Sequence, residues 1–180
     1  MVLNAPLAAS PPGDRALVEA AREGDPSAFT QLYHQYWRLV HGILLARVPR
    51  EEAEDLAQDV FLNAWRQLHR LREADAFPAW LARMARNRAH DYHRRSPESV
   101  ELPEDLAAGA APEAEARQAL AAIQSLPEAY RETLVLRLVE GLTGPEIAGR
   151  TGLTAASVRV NLHRGMKLLR EKLERRGAHG

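Results

Sequence analysis

The apolar residues of this chain recur three and four positions apart, the spacing that gathers them on one face of an α-helix. One run with this spacing comprises Phe29, Leu32, Tyr33, Tyr36, Trp37, Val40, Ile43 and Leu44. The chain is rich in alanine, leucine, arginine and glutamate, which favour helices, and residues that favour strands are sparse. The pattern predicts an all-α fold.

Proline, glycine and charge divide the chain into two small helical domains joined by a flexible acidic linker. The linker, residues 96–118, has three prolines and six acidic side chains against a single arginine, so it has little to bury. We therefore expect a disordered tail over 1–12, a first domain over 13–95, the linker over 96–118, a second domain over 119–176 and a tail over 177–180.

Cap and breaker residues give approximate bounds for the helices. Asp14 is placed to cap the first one, Ser125 and Glu128 have the spacing of a capping box, and Thr154 precedes the last helix. After the first helix, which ends before Gly24, further helices are predicted over 27–48, 51–68, 77–95, 113–124, 127–140, 145–150 and 155–175.

Composition excludes several classes of protein. The chain has 180 residues and no cysteine, which removes disulfides, thiolate metal sites and cysteine nucleophiles. Its first ten residues lack the basic start of a signal peptide, and Pro6 interrupts their apolar run. No apolar stretch approaches the roughly twenty residues that cross a bilayer. We expect a cytoplasmic protein that does not span a membrane.

The net charge of zero hides helices of opposite charge. Residues 80–95 carry five arginines against one aspartate, and residues 146–176 carry eight basic side chains against three acidic ones. Residues 51–59 carry five acidic side chains. Basic faces on two separate domains suit the phosphate backbone of DNA, although a charged helix face is also commonly just solvated.

The strongest local motif is a helix-turn-helix over residues 142–161. Gly152 permits the turn, Thr154 caps the second helix, and Val158 and Leu162 begin a buried stripe that is expected to continue through Leu169 and Leu173. Outward residues of the second helix include Ser157, Arg159, Val160, Asn161, Arg164 and Lys167. Asparagine can pair with adenine, arginine with guanine or phosphate, and valine can touch a thymine methyl group. Helix pairs joined by a glycine turn also occur in proteins that never bind DNA.

Two helix faces of the first domain combine an apolar or aromatic residue with charged residues. In the helix over 77–95, Trp80 shares one side with several arginines, as on a surface that stacks bases and neutralises phosphates, unless Trp80 belongs to the core. In the preceding helix, Asp55, Asp59 and Leu62 lie opposite the predicted core face, which suggests a protein partner.

Four segments together resemble the sigma-70 family, and more narrowly its extracytoplasmic-function (ECF) group, which keeps only regions 2 and 4. They are residues 53–65, 77–95, 126–128 and 142–165, in the order and spacing of that family. The resemblance implies a region 2 helical bundle, a region 4 helix-turn-helix, and a surface for the clamp helices of RNA polymerase formed by Asp55, Gln58, Asp59 and Leu62.

The resemblance also implies two DNA-reading surfaces. The minus-ten element would meet Arg70, Arg72, Phe77, Trp80, Arg83, Arg86, Asn87, His90 and Arg94, with residues 70–77 as the loop that captures a flipped base. The minus-35 element would meet Arg150, Thr154, Ser157, Arg159, Val160, Asn161, Arg164 and Lys167. Val160 and Asn161 depart from the residues more usual in this group, so the promoter sequence does not follow from the resemblance.

The resulting hypothesis is a transcription initiation factor that binds core RNA polymerase, directs it to promoter DNA and aids melting. The expected partners are core polymerase, promoter DNA and an anti-sigma factor, with no cofactor, catalytic residue, metal or small-molecule substrate. His90 and His93 lie three apart but lack a third ligand at helical spacing. The alternatives are a stand-alone helix-turn-helix regulator, which would bind duplex DNA unaided, and a helical adaptor that binds only protein.

Overall fold

The structure, a computed structural model, describes residues 14–95 and 111–177. These ranges contain eight α-helices and no strand, which confirms the all-α prediction. The helices are α1 (Asp14–Arg22), α2 (Pro26–Leu45), α3 (Arg50–Gln67), α4 (Phe77–Arg95), α5 (Ala111–Gln124), α6 (Glu128–Leu138), α7 (Gly144–Thr151) and α8 (Ala155–Gly177). Two short 3₁₀ helices, Leu68–Arg70 and Ala74–Ala76, join α3 to α4.

The expected tail over 1–12 and residues 96–110 of the expected linker lie outside the described residues. The final part of the predicted linker is helical, because residues 111–118 form the beginning of α5. Alanine recurs through this stretch, and Pro112 falls in the first helical turn, where a missing N–H costs nothing. The structure thus confirms the helix predicted over 113–124, which overlaps the predicted linker over 113–118.

Helix α2 is the centre of the first unit, α1–α4, and packs against α1, α3 and α4. Asp25 caps it, since its Oδ1 accepts hydrogen bonds from the backbone N–H groups of Ser27 at 2.8 Å and Ala28 at 3.3 Å. Asp14 joins α1 to the same helix, because its buried carboxylate accepts hydrogen bonds from Gln35 and from the hydroxyl of Tyr36.

The second unit, α5–α8, contains the helix-turn-helix formed by α7 and α8. Gly152 makes the turn with a φ of 79°, a conformation that glycine adopts without steric cost. The capping box predicted at Ser125 and Glu128 is wrong: α6 has no side-chain cap, and the Ser125 hydroxyl donates to the carbonyl of Ala122. A capping box occurs instead at Thr143 and Glu146, at the start of α7.

Replacing Thr143 with alanine is expected to lower the free energy of unfolding by about 1 kcal/mol, the usual cost of a lost N-cap. The Thr143 hydroxyl accepts from the backbone N–H of Glu146, and the Glu146 carboxylate accepts from the backbone N–H of Thr143 at 2.8 Å. The backbone N–H and the hydroxyl of Thr143 both donate to the Glu146 carboxylate, which holds the pKa of Glu146 below its usual range. Urea denaturation measures the change.

The matched control is Thr30→Ala in α2, because the exposed hydroxyl of Thr30 bonds only the carbonyl of Pro26 in its own helix. We expect Thr30→Ala to change the stability by less than about 0.5 kcal/mol. Equal losses in the two variants would show that the capping box contributes no more than an ordinary surface threonine.

The predicted buried stripe of α8 holds over only part of its length. Val158 and Leu169 are buried and Leu162 is half-buried, but Leu173 is 41% exposed. Helix α8 has 23 residues and its partner α6 has 11, so the last turns of α8 have less of the second unit to pack against. The inclusion of Leu173 in the stripe is wrong.

The two units pack directly on one another, α2 against α6 and α4 against α7. The approach is close at Gly42, where an added Cβ would lie 2.7 Å from Leu136 Cδ2 and 2.8 Å from Glu140 Cγ. Gln124 of α5 donates to the carbonyl oxygens of Leu45 at 2.7 Å and Val48 at 3.1 Å, at the end of α2. The sequence analysis did not anticipate this docking.

Two further features are absent from the described ranges, residues 14–95 and 111–177. None of their helices is both long and apolar enough to cross a bilayer. Nor do their histidine, aspartate and glutamate side chains form a group of three suited to hold a metal ion.

Candidate nucleic-acid interface

The beginning of α8 presents a polar and basic surface that follows from its capping. Thr154 accepts a hydrogen bond from the backbone N–H of Ser157 at 3.1 Å and donates to the Ser157 hydroxyl at 2.8 Å, which fixes the first turn. Exposed side chains then follow on this helix: Ser157, Arg159, Val160, Arg164 and Lys167. Asn161 is half-buried.

The cations of this surface are available. No ion pair in the described part of the chain involves Arg159, Arg164 or Lys167. A basic helix following a tight turn can enter a major groove and meet both phosphates and base edges. All three residues are exposed, as the prediction of a minus-35 surface on α8 requires.

Arg150, predicted for the same surface, points elsewhere. Its guanidinium carbon lies 5.5 Å from the centre of the Tyr36 ring in α2, and its side chain is only 16% exposed. This is cation–π geometry, and it holds Arg150 in the contact between the two units. Arg150 is therefore turned away from DNA in this conformation, which corrects its assignment here.

Helix α4 presents the second candidate surface, beside a groove that it shares with α3. The groove has a volume of about 710 Å³ and is lined by Trp80, Arg83 and Asn87 among others. Arg83, Asn87, His90 and Arg94 are exposed, and Arg94 pairs with Asp91 at 3.0 Å. Trp80 is half-buried, so it both packs on the core and reaches the surface.

The DNA-binding residues predicted in the loop before α4 and at the start of α4 differ in exposure. Arg70 and Arg72 are exposed. Phe77 is 0% exposed and packs with ring centres 5.4 Å from Tyr36 and 6.0 Å from Trp80. A fully buried ring cannot stack on a base, so Phe77 is a core residue in this structure, which corrects its place on the DNA surface.

The Arg86 side chain of α4 also binds residues of the second unit. Its Nε lies 3.0 Å from Glu132 Oε2 and one terminal nitrogen lies 2.7 Å from Glu132 Oε1. That nitrogen also donates to the carbonyl of Thr151 at 3.0 Å. Arg47 approaches the same carboxylate at 2.7 Å. In this conformation Arg86 faces protein rather than DNA, so its predicted exposure is wrong here.

The surroundings of Glu132 explain its ionisation. Burial raises the pKa of Glu132, but the hydrogen bonds and charge of Arg86, with those of Arg47, outweigh burial and hold the pKa below its usual value. Burial likewise disfavours the charged form of Arg86, and the bonds to Glu132 reverse that effect and raise its pKa. Both groups are therefore charged when the two units are in contact.

The predicted polymerase surface lies on one exposed side of α3. Asp55, Gln58, Asp59 and Leu62 follow helical spacing and are all exposed. Leu62 is 56% exposed, and the Asp59 carboxylate forms an ion pair with Arg88 of α4 at 2.8 Å. An exposed leucine among acidic and amide side chains suits a protein partner.

Sequence reasoning missed the polar residues between the units: Arg47, His41, Glu132 and Glu140. His41 Nδ1 lies 2.7 Å from Glu140 Oε1. A signal existed in the sequence of α6, where Leu134, Val135 and Leu136 are consecutive apolar residues, and the structure buries all three. Consecutive apolar residues on a short helix indicate burial on more than one side, and hence a neighbour outside its own unit.

Comparison with known proteins gives two family matches. The sequence model described as Sigma-70 region 2 matches residues 32–97, and the one described as Sigma-70, region 4 matches residues 116–169. The ECF RNA polymerase sigma-E factor of Haemophilus influenzae is 32% identical over 180 residues, covering 89% of this chain and 95% of that protein. RNA polymerase sigma factor CarQ of Myxococcus xanthus is 36% identical over 166 residues, covering 87% and 95%.

Solved structures share the fold. CnrH, solved in complex with the cytosolic domain of CnrY, aligns with a TM-score of 0.66 and 26% identity, covering 89% of this chain and 97% of that one. The sigma factor RpoE of Bartonella quintana, solved with the anti-sigma factor NepR, aligns with a TM-score of 0.57 over 81% of this chain and 96% of that one. At 21% identity the second likeness concerns the fold alone.

Proposed function

The chain belongs to the sigma-70 family of RNA polymerase sigma factors, in its ECF group. We propose that its two units bind different promoter elements through their exposed helix faces. It is a transcription initiation factor that directs core RNA polymerase to specific promoters. Sigma factors are not enzymes, and their effect comes from binding.

The second unit reads the minus-35 element with α8. The observation that carries this assignment is the exposed row Ser157, Arg159, Val160 and Arg164, which directly follows the Gly152 turn and has no ion pair within the described residues. Arginine and asparagine supply donors for base edges and phosphates, and Val160 supplies an apolar contact. Thr154, Asn161 and Lys167 complete the surface.

The first unit reads the minus-ten element with α4 and the loop before it. Trp80 offers a partly exposed ring, and Arg83, Asn87, His90 and Arg94 extend along the helix as far as its end. Arg70 and Arg72 stand at the entry to this surface. An aromatic ring beside cations binds an unpaired strand better than an intact duplex, which suits a promoter being opened.

Core polymerase and an anti-sigma factor are the proposed protein partners. Core polymerase binds the α3 surface of Asp55, Gln58, Asp59 and Leu62. An anti-sigma factor is proposed because two proteins of this fold were solved with a bound protein, CnrH with the cytosolic domain of CnrY and RpoE with the anti-sigma factor NepR. Transcription places the protein in the cytoplasm.

The test of the α3 surface is co-elution with bacterial core RNA polymerase on a sizing column without DNA. We expect a stoichiometric complex for the natural chain. Replacing Asp55, Gln58 and Asp59 together by alanine should weaken it at least about tenfold, since the few residues that carry most of an interface's binding energy cost about 2 kcal/mol or more when truncated. Binding is measured by titration after the column step.

A matched control removes the same number and type of polar groups at other exposed positions. Glu19→Ala, Glu23→Ala and Gln31→Ala also delete two carboxylates and one amide from exposed positions, on α1, in the turn after it and on α2, and should leave the complex unchanged. Equal binding by both triple variants would contradict the α3 assignment. Absence of any complex, with tight binding of duplex DNA by the chain alone, would favour the stand-alone regulator.

A further inference from the structure

A buried carboxylate of the second unit binds two arginines of the first. Glu132 lies on α6, Arg47 just beyond the end of α2, and Arg86 in the middle of α4. The Glu132 side chain is 7% exposed and takes a forked pair of hydrogen bonds from Arg86 and a third from Arg47. A carboxylate buried this deeply is tolerated only when it is paired in this way.

The same contact removes arginines from the candidate DNA surfaces. Arg86 is one of the residues predicted to follow the minus-ten strand, and Glu132 and the Thr151 carbonyl engage its Nε and one of its two terminal nitrogens. Arg150 is held over the Tyr36 ring in the same interface. The guanidinium edge that binds a carboxylate through Nε and a terminal nitrogen cannot bind a phosphate in the same two-bond manner at the same time.

The fit around this ion pair is specific. Gly42 lets α6 approach α2 so closely that any side chain there would meet Leu136 and Glu140. Glu140 itself pairs with His41, also on α2. Buried ion pairs add little net stability compared with apolar packing, but they can fix the register in which two surfaces meet.

We propose that Glu132 is an intramolecular lock: it stands in for a DNA phosphate, holds the two units closed and keeps Arg86 from nucleic acid until the units separate. Closure and nucleic-acid binding at Arg86 then oppose each other, and by linkage each weakens the other to the same extent. The DNA part of this inference rests on the proposed function, whereas the closed arrangement does not.

The experiment compares three full-length variants with the natural chain. Glu132→Gln removes the charge that the arginines hold, and Gly42→Leu forces α2 from α6 without altering any charge. Glu171→Gln is the matched control, because it deletes an equal charge from an ion pair on the exposed side of α8. Circular dichroism establishes that each variant is helical. The radius of gyration from small-angle X-ray scattering then reports closure.

Binding of a fluorescent thymidine 20-mer provides the second readout. We expect Glu132→Gln and Gly42→Leu to enlarge the radius of gyration and to tighten binding between about fivefold and a hundredfold, the usual range of such coupling. Glu171→Gln should keep the natural radius and change the affinity by less than about twofold, because an exposed ion pair contributes little.

Two results would be decisive against the lock, and a third would contradict the proposed function instead. If both opening variants keep the natural radius, Glu132 does not hold the units together. If they expand but bind the 20-mer no more tightly than the natural chain, Glu132 does not compete for Arg86. If neither the natural chain nor any variant binds the 20-mer or core polymerase, the proposed function fails, and expansion of the two variants then reports on the lock alone.

Discussion

Replacing Phe77 with alanine is expected to lower the free energy of unfolding by about 3–5 kcal/mol, the range for deleting a buried aromatic ring. Phe77 is fully buried at the first position of α4, where it packs against Tyr36 of α2 and Trp80 of its own helix. The lost ring would leave a cavity between the two helices that carry most of the first unit's core. Urea denaturation followed by circular dichroism measures the loss.

The control is Leu62→Ala, which truncates an apolar side chain that is 56% exposed on α3. It should change the stability by less than about 0.5 kcal/mol. Natural stability in Phe77→Ala, together with weakened binding of single-stranded DNA, would instead restore Phe77 to the DNA surface that the family resemblance implies. The measurement thus decides between a core role and a base-capture role for one residue.

The double replacement of Arg159 and Arg164 by alanine is expected to reduce transcription from promoters that depend on this factor by roughly thirtyfold or more, since base or phosphate contacts by arginine are each worth about 1–3 kcal/mol. Both side chains are exposed on α8 and lie outside the ion pairs of the described residues. Run-off transcription with reconstituted polymerase measures the effect.

Polymerase binding by the same double variant should stay intact, because neither arginine lies on α3. The matched control is Arg15→Ala with Arg22→Ala, which removes two exposed arginines from α1 and should leave transcription within about twofold of natural. Normal transcription from the Arg159 and Arg164 variant would show that α8 is not the reading helix.

Local signals in the sequence were sufficient for the helices. The bounds predicted for α4, residues 77–95, coincide with those observed, and the helix that begins at Ala155 follows Thr154 as expected. The exposed faces of α3 and α8 also follow from helical spacing alone, as Asp55, Leu62, Arg159 and Arg164 illustrate. A helix of 3.6 residues per turn fixes which side chains share a face, whatever lies beside it.

Local signals failed to identify which helix begins with a capping box. Ser125 and Glu128 have capping-box spacing, but the box forms at Thr143 and Glu146, at the start of α7. A cap requires the chain to enter the helix with an extended residue at the cap position, and Thr143 has this geometry with φ −75° and ψ 159°. The sequence spacing alone does not reveal that entry angle.

The sequence by itself determined the helical class, most helix bounds and the basic and acidic faces, because these depend on neighbours within about four residues. Only the tertiary structure decided the roles of Phe77, Arg86 and Arg150 in this conformation. Arg86 meets Glu132 across 46 positions of the chain, and His41 meets Glu140 across 99. Periodicity within a helix carries no information about such partners, since docking depends on how separate surfaces fit. Contact between the units also buries arginines that would face solvent if each unit stood alone.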